Sequence, residues 1–484
     1  IMAFQSFINR LRPSKKRRVA VIGLDCAAPE LVFERWADEL PNLTALRQRG
    51  AYGELESIIP AITVPAWSCM MSGKDPGTLG VYGFRNRADH SYNGLSVANS
   101  TAIREPRLWD ILSNHGKRTI ALGVPQTYPP QPINGEMVSC FLTPGTDMDF
   151  TYPPSLKQDI QRWVDNYMTD VKGFRTDDKG WLLEQIRTMT LQRFEVARQL
   201  ISRSDWDFFM MVEIGVDRMH HGFWKDMDPT HRKHDPNSPY RDAIRNYCHL
   251  IDHEIGTLLQ HFDDNTAVFI VSDHGARKME GGICLNEWLI REGYLVLAEP
   301  ISPNGSPLRL DQLQIDWSKT RAWGDGGYYG RVFINLQGRE PQGIVSPASY
   351  DSLRAELASR VETLGDEHGA PIGTRCFTPE SLYQQVNGVA PDLLVYFGDL
   401  AWRSIGTVGW NTLHVFENDT GPDEANHAQM GMLIYNDPQT NLGGACLSNM
   451  HLMQVAPTIL KLFGIPIPHD MQKPPIEIIA SARA

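Results

Sequence analysis

Asp273, His274 and Gly275 stand directly after the apolar run Ala267-Val268-Phe269-Ile270-Val271 and Ser272. A continuous run of this kind reads as a strand buried on both faces, and open α/β sheets place their chemistry at the carboxyl ends of such strands. Carboxylate oxygen and neutral imidazole nitrogen are the usual metal donors outside thiolate sites. The pattern recurs. Val19-Ala20-Val21-Ile22-Gly23-Leu24 ends at Asp25, and the run Phe208 to Ile214 is followed by Asp217 and His221. Four residues apart on a helical turn, Asp217 and His221 share a face and can grip one ion. His220, at i+3, is within the same reach, and spacing does not choose between them. Each piece has a plainer reading when taken alone: Asp25 as a helix cap, Asp217 and His221 as a surface pair, His427 as a loop histidine before Met430 to Tyr435. Three strand ends carrying acids, two of them with a histidine close by, are better explained by a shared metal site.

A nucleophile is needed beside such a site. Thr63 lies in Pro60-Ala61-Ile62-Thr63-Val64-Pro65-Ala66-Trp67-Ser68, at or just before a helical stretch Ala66 to Met71 that ends at Gly73. Free N–H groups and the dipole at a helix start favour an anion there. A hydroxyl in this place is otherwise a simple helix cap. Next to metal ions it can be held as an alkoxide and attack phosphorus.

The elements that must position these residues alternate. The strand ending at Asp25 precedes helical periodicity over Pro29 to Arg49, closed by Gly50. Leu108 to His115 reads as a helix before a strand at Ile120 to Val124. Tyr240 to Phe262 is an amphipathic helix feeding the Ala267 strand. Core strands are expected again at Leu393 to Phe397 and Met430 to Tyr435, with a last helix near Leu452 to Leu462. Alternating β and α elements predict an α/β fold, a mostly parallel central sheet with helices on both faces. The expected layout is a basic N-terminal arm at 1–18, a catalytic core over 19–299 with a helical cover at 149–203, an inserted α+β subdomain at 300–391, and the rest of the core at 392–484. The inserted part is expected to flank the site without supplying metal ligands.

Composition narrows the function. The 484 residues carry a formal net charge of −11, which argues against a binder of nucleic-acid polymers, whose affinity rests on clustered Lys and Arg. No apolar run approaches the ~20 residues of a transmembrane helix. The basic stretch through Lys15-Lys16-Arg17-Arg18 reads as a solvated arm, with weak peripheral contact to an anionic membrane as the alternative. Seven cysteines without CxxC spacing predict reduced thiols and a cytoplasmic location.

Gly23-Leu24-Asp25, Thr63-Val64-Pro65, Asp217 with His221, Asp273-His274-Gly275, and His427 occur in this order. As an ordered set they resemble the alkaline phosphatase superfamily, in particular its type I phosphodiesterase/nucleotide pyrophosphatase branch, from Val19 to about Phe463. The resemblance implies two divalent ions, zinc first with manganese or iron as alternatives. One is held by Asp217, His221 and His427, the other by Asp25, Asp273 and His274 with Thr63 bridging toward it. It thereby chooses His221 over His220. It implies a phosphoric ester hydrolase, phosphodiester before monoester, acting on a small phosphorylated substrate such as a nucleotide through a phospho-threonine intermediate. It also implies a phosphoryl-holding Asn some twenty residues after the nucleophile, matched loosely by Asn86; Arg85 or Arg87 could serve instead, since guanidinium suits phosphate. No sulfatase-type Cys/Ser-x-Pro-x-Arg follows Cys26 or Cys69, and the related cofactor-independent mutases carry Ser where this chain has Thr63. A phosphotransferase or mutase on the same scaffold, or a binding protein of this fold, are the alternatives. Alcohol acceptors and metal-loaded turnover assays would separate them.

Overall fold

The computed structural model describes residues 16–301 and 306–478. Most of the expected basic arm therefore lies outside the described residues; Arg17 is inside them and pairs with Asp437 at 2.6 Å.

The apolar runs become the middle of one large sheet. Its strands lie in the order Ala445–Cys446, Ala51–Glu56, Met430–Asn436, Thr266–Val271, Arg18–Leu24, Phe208–Glu213, Thr119–Leu122, Gly135–Val138 and Thr151–Tyr152, with Met450–His451 also pairing to Ala51–Glu56. Arg18–Leu24 is parallel to both its neighbours, and Gly23 is in register with Val212 on one side and Val271 on the other. The three runs that lead to Asp25, Asp217 and Asp273 are thus adjacent and end at the same level. Met430–Asn436 runs antiparallel to Thr266–Val271, so the sheet is mostly parallel with an antiparallel side.

Alternation along the first strand shows why both sides of the sheet must be covered. Ala20, Ile22 and Leu24 join a core with Leu43, Phe194, Phe223 and Ile255, while Val19 and Val21 join another with Val64, Trp67, Leu108 and Ile459. Helices Pro41–Arg49, Lys179–Arg203, Gly215–Met227 and Ala243–Leu259 supply the first layer, and Thr63–Ser72, Leu108–Asn114 and Val455–Leu462 the second. Each buried aliphatic side chain contributes about 1.5–3 kcal/mol, and both layers are needed because Val19 to Leu24 is apolar on both faces.

Three expectations are corrected. The helical periodicity of Pro29 to Arg49 is broken: short turns at Leu31–Arg35 and Ala37–Glu39 precede a separate helix that begins at Pro41. Proline lacks the N–H an interior position needs and is accepted at a helix start. Leu393–Tyr396 is not a strand of the central sheet. It pairs antiparallel with Gly330–Ile334 and Arg375–Phe377 in a separate four-stranded sheet, whose core includes Trp288, Phe333, Leu357, Val395 and Trp402. A run buried on both faces looks the same in either sheet, so hydrophobicity alone does not assign it. Residues 120–124 form strand only over Thr119–Leu122, followed by an unanticipated neighbour at Gly135–Val138.

Gly275 is required by close approach. A Cβ there would lie 2.2 Å from the Met430 carbonyl oxygen. Gly275→Ala is expected to cost about 1–3 kcal/mol, the usual price of overpacking. Urea unfolding would check it, and an unchanged midpoint would contradict it.

The short turn Leu452–Gln454 that leads into the last helix carries a pH-sensitive cap. His451 Nδ1 accepts from Met453 N at 3.1 Å, and burial depresses its imidazole from 6.5 to about 4. A histidine depressed in the folded state leaves stability level above its unfolded value and lowers it as protons bind the unfolded chain. Stability should therefore fall as pH drops from 6.5 toward about 4. His451→Gln should flatten that part of the profile; an identical slope in urea titrations across this window would refute the assignment.

Candidate active site

Asp25 directly follows the first strand, and its N–H bonds Glu213 O at 3.1 Å, tying it to the neighbouring strand end. Asp273 and His274 follow Thr266–Val271. Asp217 and His221 sit one turn apart on helix Gly215–Met227. His427 comes from Ala425–Ala428, a short strand that pairs antiparallel with Gly275–Lys278 directly after the Asp-His pair. All six side chains are fully buried or nearly so.

They form two adjoining groups. Asp25, Asp273 and His274 present donor atoms within 4.8 Å of one another, and so do Asp217, His221 and His427 together with Cys26. The rings of His274 and His427 stack at 3.8 Å between centroids and join the groups. Thr63 Oγ1 lies 3.4 Å from Asp25 Oδ1 and 3.3 Å from His274 Nε2. Thr63 is the first residue of its helix, after an Ile62 that offers no side-chain cap, and its hydroxyl faces Asp25 and the His274 imidazole. Pro65 has no N–H, and the helix's first backbone bond is Ala66 N to Ile62 O. Ser68 is turned elsewhere, bonded to Val64 O and Gln126.

Each imidazole is oriented from behind. His427 Nδ1 lies 2.8 Å from Ala61 O, His274 Nδ1 3.1 Å from Gly275 O, and His221 Nδ1 2.7 Å from Asp423 Oδ1 and 3.1 Å from Ala425 O. Carbonyl and carboxylate oxygens accept only, which places the proton on Nδ1 and leaves the Nε2 lone pair inward. The carboxylates are steadied in the same way. Trp67 Nε1 donates to Asp25 at 2.7 Å, Cys26 N to Asp273 at 3.2 Å, and Arg218 to Asp217 at 2.5 Å. Gly23 makes room for the first of these, because a Cβ there would lie 2.4 Å from the Trp67 ring.

The donor set fits divalent metal. Asp217 Oδ1, His221 Nε2, His427 Nε2 and Asp273 Oδ2 are buried without a hydrogen-bond partner, although such atoms are rarely left unpaired. His221 Nε2 approaches Asp217 Oδ1 to 3.1 Å without bonding geometry. Burial and the nearby Asp217 push Asp25 well above its ordinary range, and burial and Asp25 do the same to Asp273. Burial works likewise on Asp217, but His221, Arg218 and His427 outweigh it and hold that carboxyl low. A dication among these carboxylates removes the conflict.

His220 is not in either group. Its Nδ1 lies 3.1 Å from Cys26 O, and burial lowers its imidazole to about 4. Asn86 and Arg87 are engaged by neighbouring segments, although Arg87 Nε is buried without a partner. Asn86 closes a turn with Tyr82 N and Gly83 O. Arg87 pairs with buried Glu340 at 3.2 Å and lies over Trp323 and Phe333. Arg85 has an exposed side chain.

Sequence reasoning missed Asp423, Arg175, Tyr328 and Arg403. Asp423 is flanked by Arg175 at 3.0 Å and Arg403 at 3.4 Å. Burial alone would raise its carboxyl, yet His221 and the two arginines hold it well below the ordinary value. Tyr328 stacks on His221 at 4.9 Å and lies 4.3 Å from the His427 ring. None of the four stands at the end of a central strand, so no periodic signal marked them.

The central, mostly parallel sheet carries two Asp/His groups at its carboxyl edge, with the Thr63 hydroxyl beside Asp25 and His274 of the first group. The family model for type I phosphodiesterase/nucleotide pyrophosphatase matches residues 19–423, and the chain belongs to that family. No curated protein matches the chain in sequence. Among solved structures, human ectonucleotide pyrophosphatase/phosphodiesterase 5 is 12% identical with a TM-score of 0.54, covering 94% of this chain and 97% of its own. The murine protein of the same name, in an inactive form bound to AMP, gives 12% and 0.55 with the same coverage.

Proposed function

We propose that this chain is a two-metal phosphodiesterase that cleaves a small phosphodiester, such as a nucleotide derivative, through Thr63. The observation that carries the reading is the Thr63 hydroxyl within 3.4 Å of both Asp25 and His274, beside buried donor atoms that lack partners. Asp25, Asp273 and His274 would hold one ion, and Asp217, His221 and His427 the other. Bound there, divalent ions supply Lewis-acid neutralisation of charge on the attacking and leaving oxygens. Thr63 Oγ1 attacks phosphorus in line, the alcohol leaves, and phospho-Thr63 forms. Water then cleaves the P–O bond to threonine, releasing the phosphomonoester and restoring the hydroxyl. The open N–H groups of Thr63 and Val64 at the helix start favour the negative charge that builds on the phosphoryl oxygens. The murine relative bound to AMP supports a nucleotide as the substrate class.

Stripping metal with a chelator should abolish hydrolysis of bis(p-nitrophenyl) phosphate, and zinc or manganese should restore it. The diester should be turned over faster than p-nitrophenyl phosphate. Full activity in protein shown by elemental analysis to be metal-free would overturn the proposal.

A further inference from the structure

We propose that Cys26 is a fourth protein donor to the ion held by Asp217, His221 and His427, making that position a Cys-Asp-His-His site. This rests on the two-metal reading above. The Cys26 sulfur lies with Asp217, His221 and His427 in one set of donor atoms, all within 4.8 Å of one another. The residue is fully buried. Three atoms of the same set, Asp217 Oδ1, His221 Nε2 and His427 Nε2, are buried without a hydrogen-bond partner. The thiol donates to Gly275 O at 3.4 Å and also faces Asp217.

The backbone aims the sulfur there. Cys26 N donates to Asp273 at 3.2 Å, and its carbonyl oxygen lies 3.1 Å from His220 Nδ1. The peptide groups on both sides of its Cα are therefore pinned, one by the site residue Asp273 and the other by His220 beside the site. Its φ is +64°, in the left-handed region that glycine enters freely and other residues seldom do. A cysteine held there keeps a side chain where glycine would be the easier choice. Among the described residues, the six other cysteines belong to neither donor group.

The two positions then differ in chemistry. Asp25, Asp273 and His274 offer oxygen and nitrogen only, whereas the second set adds sulfur. As the metal–sulfur bond forms, the thiol proton passes to solvent and the sulfur lone pair becomes the fourth donor. Thiolate selects zinc over harder ions such as manganese or magnesium, so the second position is the zinc-selective one and the first is the more permissive.

The test uses the full chain, stripped of metal and reloaded with cobalt(II). The wild-type protein is expected to show a near-ultraviolet thiolate-to-cobalt charge-transfer band besides the visible d–d bands. Cys26→Gly and Cys26→Ser should lose that band while still binding two cobalt ions by elemental analysis. The glycine variant suits the positive φ, so its loss of the band is not a folding failure. Preference for zinc over manganese in competition should fall at least tenfold in both variants. Cobalt binding with no charge-transfer band in wild type, or a band that survives in both variants, would overturn the thiolate donor and leave the two-metal reading standing. If cobalt fails to bind the wild-type protein, both fall together.

Discussion

Thr63→Ala is expected to lower phosphodiester turnover by roughly 10³-fold or more, as removal of a nucleophile does in enzymes whose catalytic groups act as a unit. The residue is buried, begins its helix, and lies between Asp25 and His274. Alanine removes the attacking oxygen and leaves all six Asp and His donors in place, so fold and metal content should persist. Thr63→Ser keeps the hydroxyl and loses a methyl group, and should retain part of the activity. Ser68 is the control. Its hydroxyl is spent on Val64 O and Gln126, so Ser68→Ala should affect stability more than chemistry. Steady-state rates with metal content measured in parallel decide the matter. Near-normal turnover in Thr63→Ala, or a larger loss in Ser68→Ala, would withdraw the nucleophile.

Asp423→Asn is expected to weaken metal binding by about 10–100-fold, the usual effect of losing a carboxylate behind a ligating histidine. Asp423 Oδ1 takes the Nδ1 proton of His221 at 2.7 Å, and its other oxygen meets Arg175 and Arg403. Asparagine preserves the shape but removes the charge that raises the basicity of His221. It also leaves the buried Arg403 and the half-buried Arg175 with less compensation. The loss should appear at one of two ions in a metal titration, because Asp25, Asp273 and His274 do not touch Asp423. Rates at saturating metal should recover more than rates at limiting metal. Equal affinity for both ions in variant and wild type would contradict this role.

The three acidic strand ends were legible because a parallel strand buried on both faces has no polar residue until it emerges. Val19–Leu24, Phe208–Glu213 and Thr266–Val271 are such strands, and they are neighbours in the sheet. Asp217 and His221 were legible as a pair on one helical face, but the choice against His220 was not in the spacing. It follows in the structure from the His220 contact with Cys26 O. Leu393–Tyr396 went to the wrong sheet because hydrophobicity reports burial and not partner. Asn86 and Arg87 have the right chemical type for phosphate, yet their partners Tyr82, Gly83 and Glu340 are set by the packing of distant segments. Asp423 acts on His221 across about 200 residues of sequence, although it stands just before His427, and Tyr328 acts on His221 across about 100.

The most direct test of the two-metal account is anomalous diffraction from crystals of the full chain grown with zinc and a phosphomonoester product. The account predicts two anomalous peaks about 4 Å apart, the spacing of two-metal hydrolytic sites. One should lie among Asp25, Asp273 and His274 with Thr63 beside it, the other among Asp217, His221 and His427. No peak within reach of His221 and His427, or a metal pair remote from Thr63, would contradict it.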